Sequence, residues 1–368
     1  MRIRIGASRM LVCLAATATL FASGCNGSNT PVSTAEQTSQ HALDAAIVPN
    51  ADFVVRIDVN AIRQAPVIKQ LENAKGNAVG SNPEYEKFQQ VTGLSKDDVQ
   101  AVVLSANTAN FDFANGKAQT NLTQMNGVAA VEFAKPLTTD KLIEGLKIIL
   151  EEKATLSTFD LEGTQAVHIQ STKPDEPSAY AAPARDAKTV YIAFNKASLQ
   201  AALQRAAKGV MAASRPELQT LSEPASQASL AFTAPQALRD YIQTRLSTSQ
   251  KSPGNAMLNG FLAPFKNLRS IALGMQWDTD MQIDIAGNLG AADAATQVAA
   301  LIQTMALPML KQYTAKASGK SALNLDEQFS VSTEDTALRI SLRFTGEDLQ
   351  AYRKAKEQAK TAALSHQQ

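Results

Sequence analysis

Short apolar runs and amphipathic stretches alternate along the chain, and their periods predict strands and helices in turn. Residues 53–59, 99–104 and 128–133 are rich in β-branched side chains and bounded by polar ones, which is typical of strands. Residues 139–153, after Thr138, instead repeat apolar positions with helical spacing. The apolar face of this helix consists of Leu142, Leu146, Ile149 and Leu150.

Shorter elements fill the rest of the first half. Helices are predicted at 66–74 and after Asn82, where Pro83 suits the first helical turn. Two short strands are predicted within 158–170 and another at 189–194. The helix at 198–208 is expected to end at Gly209, because glycine is the favoured C-terminal cap. Folded sequence is expected to begin at Asp52.

The second half repeats this order of elements. The pattern predicts a strand at 230–232, helices at 235–246 and 258–265, and a strand hairpin at 271–277 and 281–289. A long helix follows Ala291, and Pro308 is expected to kink or end it. Its apolar stripe consists of Ala295, Val298, Ala299, Ile302, Met305 and Met309, with the methionines as core filler. Strands at 329–331 and 338–344 and a helix after Thr345 complete the chain.

The two halves also end alike, which suggests an internal duplication. Phe194 is followed five residues later by Leu199-Gln200-Ala201, and Phe344 five residues later by Leu349-Gln350-Ala351. Strands that arrive in adjacent pairs favour antiparallel sheets. We therefore predict an α+β fold of two tandem related units, residues 46–215 and 216–368, each a mainly antiparallel sheet with helices packed on one face. The insert at 107–126 and the Pro-rich loop at 172–187 are the expected places for specific recognition.

The N-terminus has the pattern of a secretory signal. Arg2, Arg4 and Arg9 precede an apolar run at 10–21 that is too short to span a bilayer, so residues 1–24 are expected to be cleaved. The small residues Ala22-Ser23-Gly24 before Cys25 resemble the lipobox of bacterial lipoproteins, although that family usually has leucine where Ala22 stands. The resemblance implies that Cys25 carries lipid such as palmitate and diacylglycerol. The folded region loosely resembles uncharacterised duplicated cell-envelope proteins.

A lipid-anchored position follows from this resemblance. Several acyl chains, at about 0.8 kcal/mol per buried methylene, would make membrane attachment long-lived. Residues 25–45 are predicted to be the lipidated cysteine and a flexible tether, because they have few bulky apolar groups. By the sorting pattern of Gram-negative bacteria, Asn26 after the cysteine favours the outer over the inner membrane.

Composition narrows the range of partners. Removal of residues 1–24 deletes three arginines and no acid, which changes the formal net charge from +1 to −2. A chain without basic excess has no electrostatic footprint for nucleic acid. The only other cysteine, Cys13, lies in the predicted signal, so Cys25 has no intramolecular disulfide partner. The membrane, an envelope protein and an apolar ligand remain as expected partners.

Candidate catalytic groups are few. His168 is the only histidine in the predicted folded region, where a plain strand histidine is favoured over a Ser-His-Asp site. Asp278 and Asp280 lack the pattern of a calcium loop, and Gly319-Lys320-Ser321 lacks the first glycine of a phosphate loop. No catalytic, cofactor-binding or metal-binding residue is assigned.

Three functions stay open at this point. The first is a non-enzymatic binding or scaffolding lipoprotein of the cell envelope. The second is a carrier or chaperone for an apolar ligand, held between helices and sheet with the methionine-bearing helix as one wall. The third is a carboxylate-based hydrolase, which would need two acids from separate strands to converge in one cleft.

Overall fold

The structure is a computed structural model, and it describes most of the chain after residue 41. The described residues are 42–73, 83–107, 111–112, 119–120, 126–173, 176–210, 226–234, 236–249, 263–318, 325–351 and 354. They divide into two compact units. Unit 1 contains residues up to 64 and 76–219, and unit 2 contains residues 65–75 and 220–368.

Residues 65–75 belong with unit 2 although unit 1 surrounds them in the chain. They contain helix α2, Pro66–Asn73, and the backbone N–H of Val67 donates to the carbonyl oxygen of Asp278 over 2.8 Å. The predicted division into 46–215 and 216–368 placed residues 65–75 in the first unit and is wrong for them. Hydrophobic periodicity reports which face of a helix is buried and not which part of the chain buries it.

Unit 1 is built on an antiparallel sheet in the order β1-β2-β5-β9-β8-β7-β6. The strands are β1 Phe53–Asp58, β2 Val99–Asn107, β5 Asn126–Phe133, β6 Ala154–Leu161, β7 Thr164–Ser171, β8 Ala179–Pro183 and β9 Thr189–Ala193. A separate two-stranded pair is formed by β3, Phe111–Asp112, and β4, Gln119–Thr120. Strand β8 lies inside the predicted loop 172–187, where its Ala-Tyr-Ala-Ala-Pro sequence gives a weak strand signal.

Helices pack on both faces of the unit 1 sheet. The helices are α1 Val59–Gln64, α3 Pro83–Thr92, α4 Thr139–Leu150 and α5 Lys196–Lys208. One face carries α4 through Leu142, Leu146 and Leu150, and the other carries α5 through Leu199 and Leu203. The predicted single helical face is therefore wrong for this unit. All five residues of β9 are buried, as expected for a strand covered on both sides.

Residues 42–48 are part of the unit 1 core. Residues 42–44 form a helical turn, and Ala45, Ala46, Ile47 and Val48 are at most 3% exposed. They pack with α5 in the same hydrophobic cluster. The predicted start of folded sequence at Asp52, and the predicted end of the tether at residue 45, are both too late. The tether was predicted from the polar composition of residues 25–45 as a whole, and the few apolar residues at its end do not change that average.

The strands of unit 2 are also antiparallel and follow the order β10-β11-β12-β14-β13. Its strands are β10 Ala228–Thr233, β11 Ser270–Trp277, β12 Met281–Asn288, β13 Phe329–Glu334 and β14 Ala337–Phe344. Its helices, besides α2, are α6 Gln236–Ser249, α7 Ala292–Leu301, α8 Leu307–Ser318, α9 Leu325–Gln328 and α10 at 346–351. Helix α7 covers one sheet face through Ala295 and Val298.

A π-helical segment, Ile302–Ala306, joins α7 to α8, so Pro308 does not end the helix. One extra residue in a turn rotates the later turns of the helix by about 100°. Leu307 and Leu310 accordingly pack beside Phe344, and Met309 is 66% exposed. The prediction that Met309 is core filler is wrong, because the predicted apolar stripe assumes an uninterrupted α-helix.

The α+β class and its antiparallel sheets are confirmed in both units. Pairing order also agrees: β9 lies between β5 and β8, and β14 lies between β12 and β13. In both units one neighbour is the strand directly before the middle helix, α4 or α7, and the other is the strand just ahead in sequence. Strands β9 and β14 are each followed by a capped helix, with Asn195 accepting from Ser198 N and Thr345 accepting from Asp348 N. The origin of the units by duplication stays a prediction.

Candidate functional site

An apolar cavity lies in unit 1 between helices α3 and α4 and one face of the sheet. Its volume is about 80 Å³, and it is partly open to solvent. Helix α3 contributes Phe88 and α4 contributes Leu142 and Leu146, while Ala181 and Ile192 line it from β8 and β9. Nearly all of the wall is therefore hydrocarbon, which is typical of sites for apolar ligands.

The polar groups in the wall already have partners. The Thr92 hydroxyl donates to the carbonyl oxygen of Phe88 over 2.7 Å and accepts from the N–H of Leu94. The Ser95 hydroxyl donates to the Asp98 carboxylate over 2.9 Å. Both hydroxyl protons are already donated within the chain and the rest of the wall is apolar, so the cavity favours an occupant without polar groups.

The Asp98 carboxylate fixes the turn at Ser95, which is part of the cavity wall. Burial raises the pKa of Asp98, but hydrogen bonds from the Ser95 backbone and hydroxyl and from Lys135 outweigh burial and hold it below its usual value. The Lys135 Nζ lies 3.1 Å from this carboxylate. Asp98 therefore stays ionised and fixes Ser95, which lines the cavity.

The position of α3 over the cavity depends on a glycine in α4. A Cβ atom at Gly145 would lie 2.7 Å from Cε2 of Phe88 and 2.8 Å from Cγ2 of Thr92. Only glycine allows this approach. Helix α3 ends at Gly93, whose φ of +72° is a left-handed conformation that glycine adopts without strain.

Sequence reasoning did not identify these wall residues as a site. Their apolar periodicity is the same for a packed core and for a cavity wall, because a cavity is a property of packing between elements. The predicted site was also elsewhere: the methionine-bearing helix belongs to unit 2, and the cavity lies in unit 1.

His168 lies on β7, with its ring stacked on Tyr180 at 4.7 Å between centroids. Its Nε2 is buried and has no hydrogen-bond partner among the described residues. An edge-to-face contact joins Tyr180 to Phe159, and the Lys196 ammonium lies 4.8 Å above the Phe159 ring. The histidine thus belongs to an aromatic cluster.

The other candidate groups have structural surroundings or fall outside the described residues. Asp280 forms an ion pair with Arg343 over 2.8 Å, at the hairpin turn that also contains Asp278. Asp58 accepts from the N–H of Ala61 and caps α1. Cys25 and Gly319-Lys320-Ser321 lie outside the described residues, so no contact is assigned to them.

A search of the described residues finds no group of three or more histidine, cysteine, aspartate or glutamate side chains placed to hold a metal ion. None of the described helices combines the length and the apolar character needed to span a membrane. Comparison with protein-family models, curated proteins and solved structures finds no match to this chain.

Proposed function

We propose that this chain is a cell-envelope lipoprotein, held on a membrane by lipid on Cys25, that acts as a non-enzymatic binding module for an apolar ligand. The observation that carries the binding role is the hydrocarbon-walled cavity of unit 1. The lipobox-like sequence before Cys25 supports the anchor.

The size of the cavity favours a slender ligand. At about 80 Å³ it is smaller than the roughly 150 Å³ engineered cavity that takes benzene. The tail of an acyl or isoprenoid chain fits better than a compact ring system. Its partial opening allows the rest of such a chain to extend outside.

The anchor would keep this cavity near its source of ligand. Sixteen residues separate Cys25 from Ala42, which is the first residue that the structure describes and is buried in unit 1. A chain of that length reaches at most about 60 Å when fully extended. A lipid-held unit 1 would therefore remain close to membrane lipids.

The hydrolase alternative has less support. Several acids have structural contacts instead: Asp58 and Asp98 cap helical turns, and Asp44 pairs with Arg56. The binding role uses features that are present in unit 1, while the hydrolase requires a pair of converging carboxylates.

A fluorescent fatty acid, 11-(dansylamino)undecanoic acid, tests the binding role. We expect saturable binding to the full mature chain and displacement by dodecanoic acid. The variant Ala181→Leu places extra hydrocarbon in the cavity and should weaken binding by about tenfold or more. Thr155→Leu adds a leucine at an exposed position of β6 and should leave binding unchanged.

Two results would contradict the proposal. One is the absence of saturable binding to wild type. The other is equal binding by a folded Ala181→Leu variant, judged by an unfolding midpoint close to that of wild type.

A further inference from the structure

The unit 2 sheet has one polar face, opposite the face that α7 covers. Residues at alternate positions form a row across all five strands: Ser229, Gly274, Asp284, Ser341 and Ser330 are successive cross-strand partners. The next positions along the strands, such as Leu273, Ile285 and Ile340, point to the side of α7, where Ile340 packs. The sequence contains this alternation, but the predicted hairpin at 271–277 and 281–289 did not indicate that five strands together form a polar face.

A concave cavity of about 300 Å³ lies on this polar face. Gly274 gives it a low floor, and Gln276 and Gln282 stand at one side of the row. The Asp284 carboxylate near its centre is half-buried and accepts from Nε2 of Gln282 over 2.8 Å. It forms no ion pair with a described residue, although the exposed Arg339 side chain lines the same cavity.

Unit 1 has a corresponding row. Its member on β9, Tyr191, lies three residues before Phe194, as Ser341 of the unit 2 row lies three residues before Phe344. The unit 1 row consists of Arg56, Val103, Ala130, Tyr191 and Ala182, again as successive cross-strand partners. This row is covered: the segment at 43–48 packs on Val103, Ala130, Tyr191 and Ala182 in one hydrophobic cluster.

Side chains of the unit 1 face hold the backbone of this segment. The Tyr191 hydroxyl donates to the carbonyl oxygen of Ala42, and the Ser105 hydroxyl accepts from the N–H of Val48 over 2.9 Å. The unit 2 positions that correspond to Tyr191 and Ser105 are Ser341 and Gln276. Both are polar and line the cavity.

We propose that the polar face of unit 2 binds a peptide segment of a partner protein, laid across the sheet as residues 42–48 are laid across unit 1. Ser341 and Gln276 contact the backbone of the peptide. A lysine or arginine of the peptide pairs with Asp284, whose half-buried charge forms no ion pair with a described residue. The polar row selects a polar peptide, in contrast to the apolar segment of unit 1.

Selection from a phage-displayed library of linear 12-residue peptides, panned on the full mature chain, tests this site. Enriched peptides are synthesised, and their affinities are measured by fluorescence polarisation. We expect enriched peptides to contain a basic residue. Gly274→Val raises the cavity floor and suits a strand, because a Cβ there meets only Ser226 atoms at 3.4 Å. Asp284→Asn removes the charge and keeps the shape.

Each variant should weaken binding by about tenfold or more. The matched controls Thr333→Val, on the opposite side of β13, and Asp335→Asn, in the β13–β14 turn, should stay within about twofold of wild type. Equal affinity in wild type and Asp284→Asn would overturn the proposal, as would failure to enrich any peptide. Binding of soluble peptidoglycan fragments that Gly274→Val abolishes, without peptide enrichment, would assign the face to glycan and also overturn it. The site is independent of the unit 1 cavity, whose fatty-acid binding these variants should not change.

Discussion

The phenol of Tyr191 donates a hydrogen bond of 2.5 Å to the carbonyl oxygen of Ala42, which lies 149 positions earlier in the chain. Tyr191 is fully buried, and burial raises the pKa of its phenol well above the usual value, so the hydroxyl remains a donor at any physiological pH. Its bond ties the first described residue to the central strand of unit 1.

Removal of this hydroxyl should destabilise unit 1. Tyr191→Phe leaves the Ala42 carbonyl without this donor, and loss of a buried hydrogen bond costs about 1–2 kcal/mol. Urea unfolding followed by circular dichroism measures the change. The control Tyr180→Phe keeps the ring that stacks on His168 and should have a smaller effect. Equal stability of Tyr191→Phe and wild type would show that the N-terminal segment is not held in this way.

Two carboxylates should respond to pH with opposite signs. The pKa of Asp98 is lowered in the folded chain, so its contribution to stability is complete above its unfolded pKa of about 3.9 and is lost as the pH falls through the folded value. Partial desolvation raises the pKa of Asp58 despite its hydrogen bond from Ala61, but the residue is exposed, so this charge opposes folding only weakly near neutral pH.

Asp98→Asn is therefore expected to lower the free energy of unfolding at pH 7, with a difference from wild type that shrinks below about pH 3. Asp58→Asn keeps an oxygen to cap Ala61 and should be neutral or stabilising at pH 7. Chemical unfolding of both variants at the two pH values measures this. A constant deficit of Asp98→Asn at both pH values would contradict the assigned cause.

The contact between α3 and α4 predicts a large effect of one methyl group. Gly145→Ala would place a Cβ 2.7 Å from Phe88 and must push α3 outward, at a cost of about 1–3 kcal/mol despite the better helix propensity of alanine. Thermal unfolding of Gly145→Ala and wild type measures this loss of stability. The control Gly163→Asn, at a left-handed turn with open space, should change stability much less. A stabilised Gly145→Ala variant would show that the two helices are not in close contact.

The π-helical segment predicts which side of α8 is buried. Leu310→Ala should cost about 1–3 kcal/mol, because Leu310 packs beside Phe344, and Met309→Ala should stay within about 0.5 kcal/mol. Urea unfolding of the two variants measures both costs and shows which side of α8 is buried. The reverse order of costs would indicate an uninterrupted α-helix.

Local signals in the sequence predicted several elements well. Thr138 accepts from the N–H of Lys141 at the start of α4, Gly209 ends α5 with a φ of +62°, and Pro83 begins α3 as expected. The hairpin of β11 and β12 also agrees with its alternating pattern. In each case the information lies within a few neighbouring residues.

The features that the sequence did not predict depend on distant contacts. The burial of Ile47 requires α5, and the exchange of Val67 into unit 2 requires Asp278. The exposure of Met309 results from one extra residue in a helical turn, which periodicity over a short window does not register. The cavity beside Ala181 arises where side chains from several elements fail to meet.

We have proposed that the chain is held on a membrane and carries an apolar ligand in unit 1. Intact mass of protein extracted from membranes, measured under native and then denaturing conditions, tests both parts. We expect the denatured mass to equal residues 25–368 plus acyl and glyceryl groups, absent in Cys25→Ala, and the native mass to include a further apolar molecule that Ala181→Leu lacks. A soluble protein of unmodified mass that carries no bound molecule would show that this proposed function is wrong.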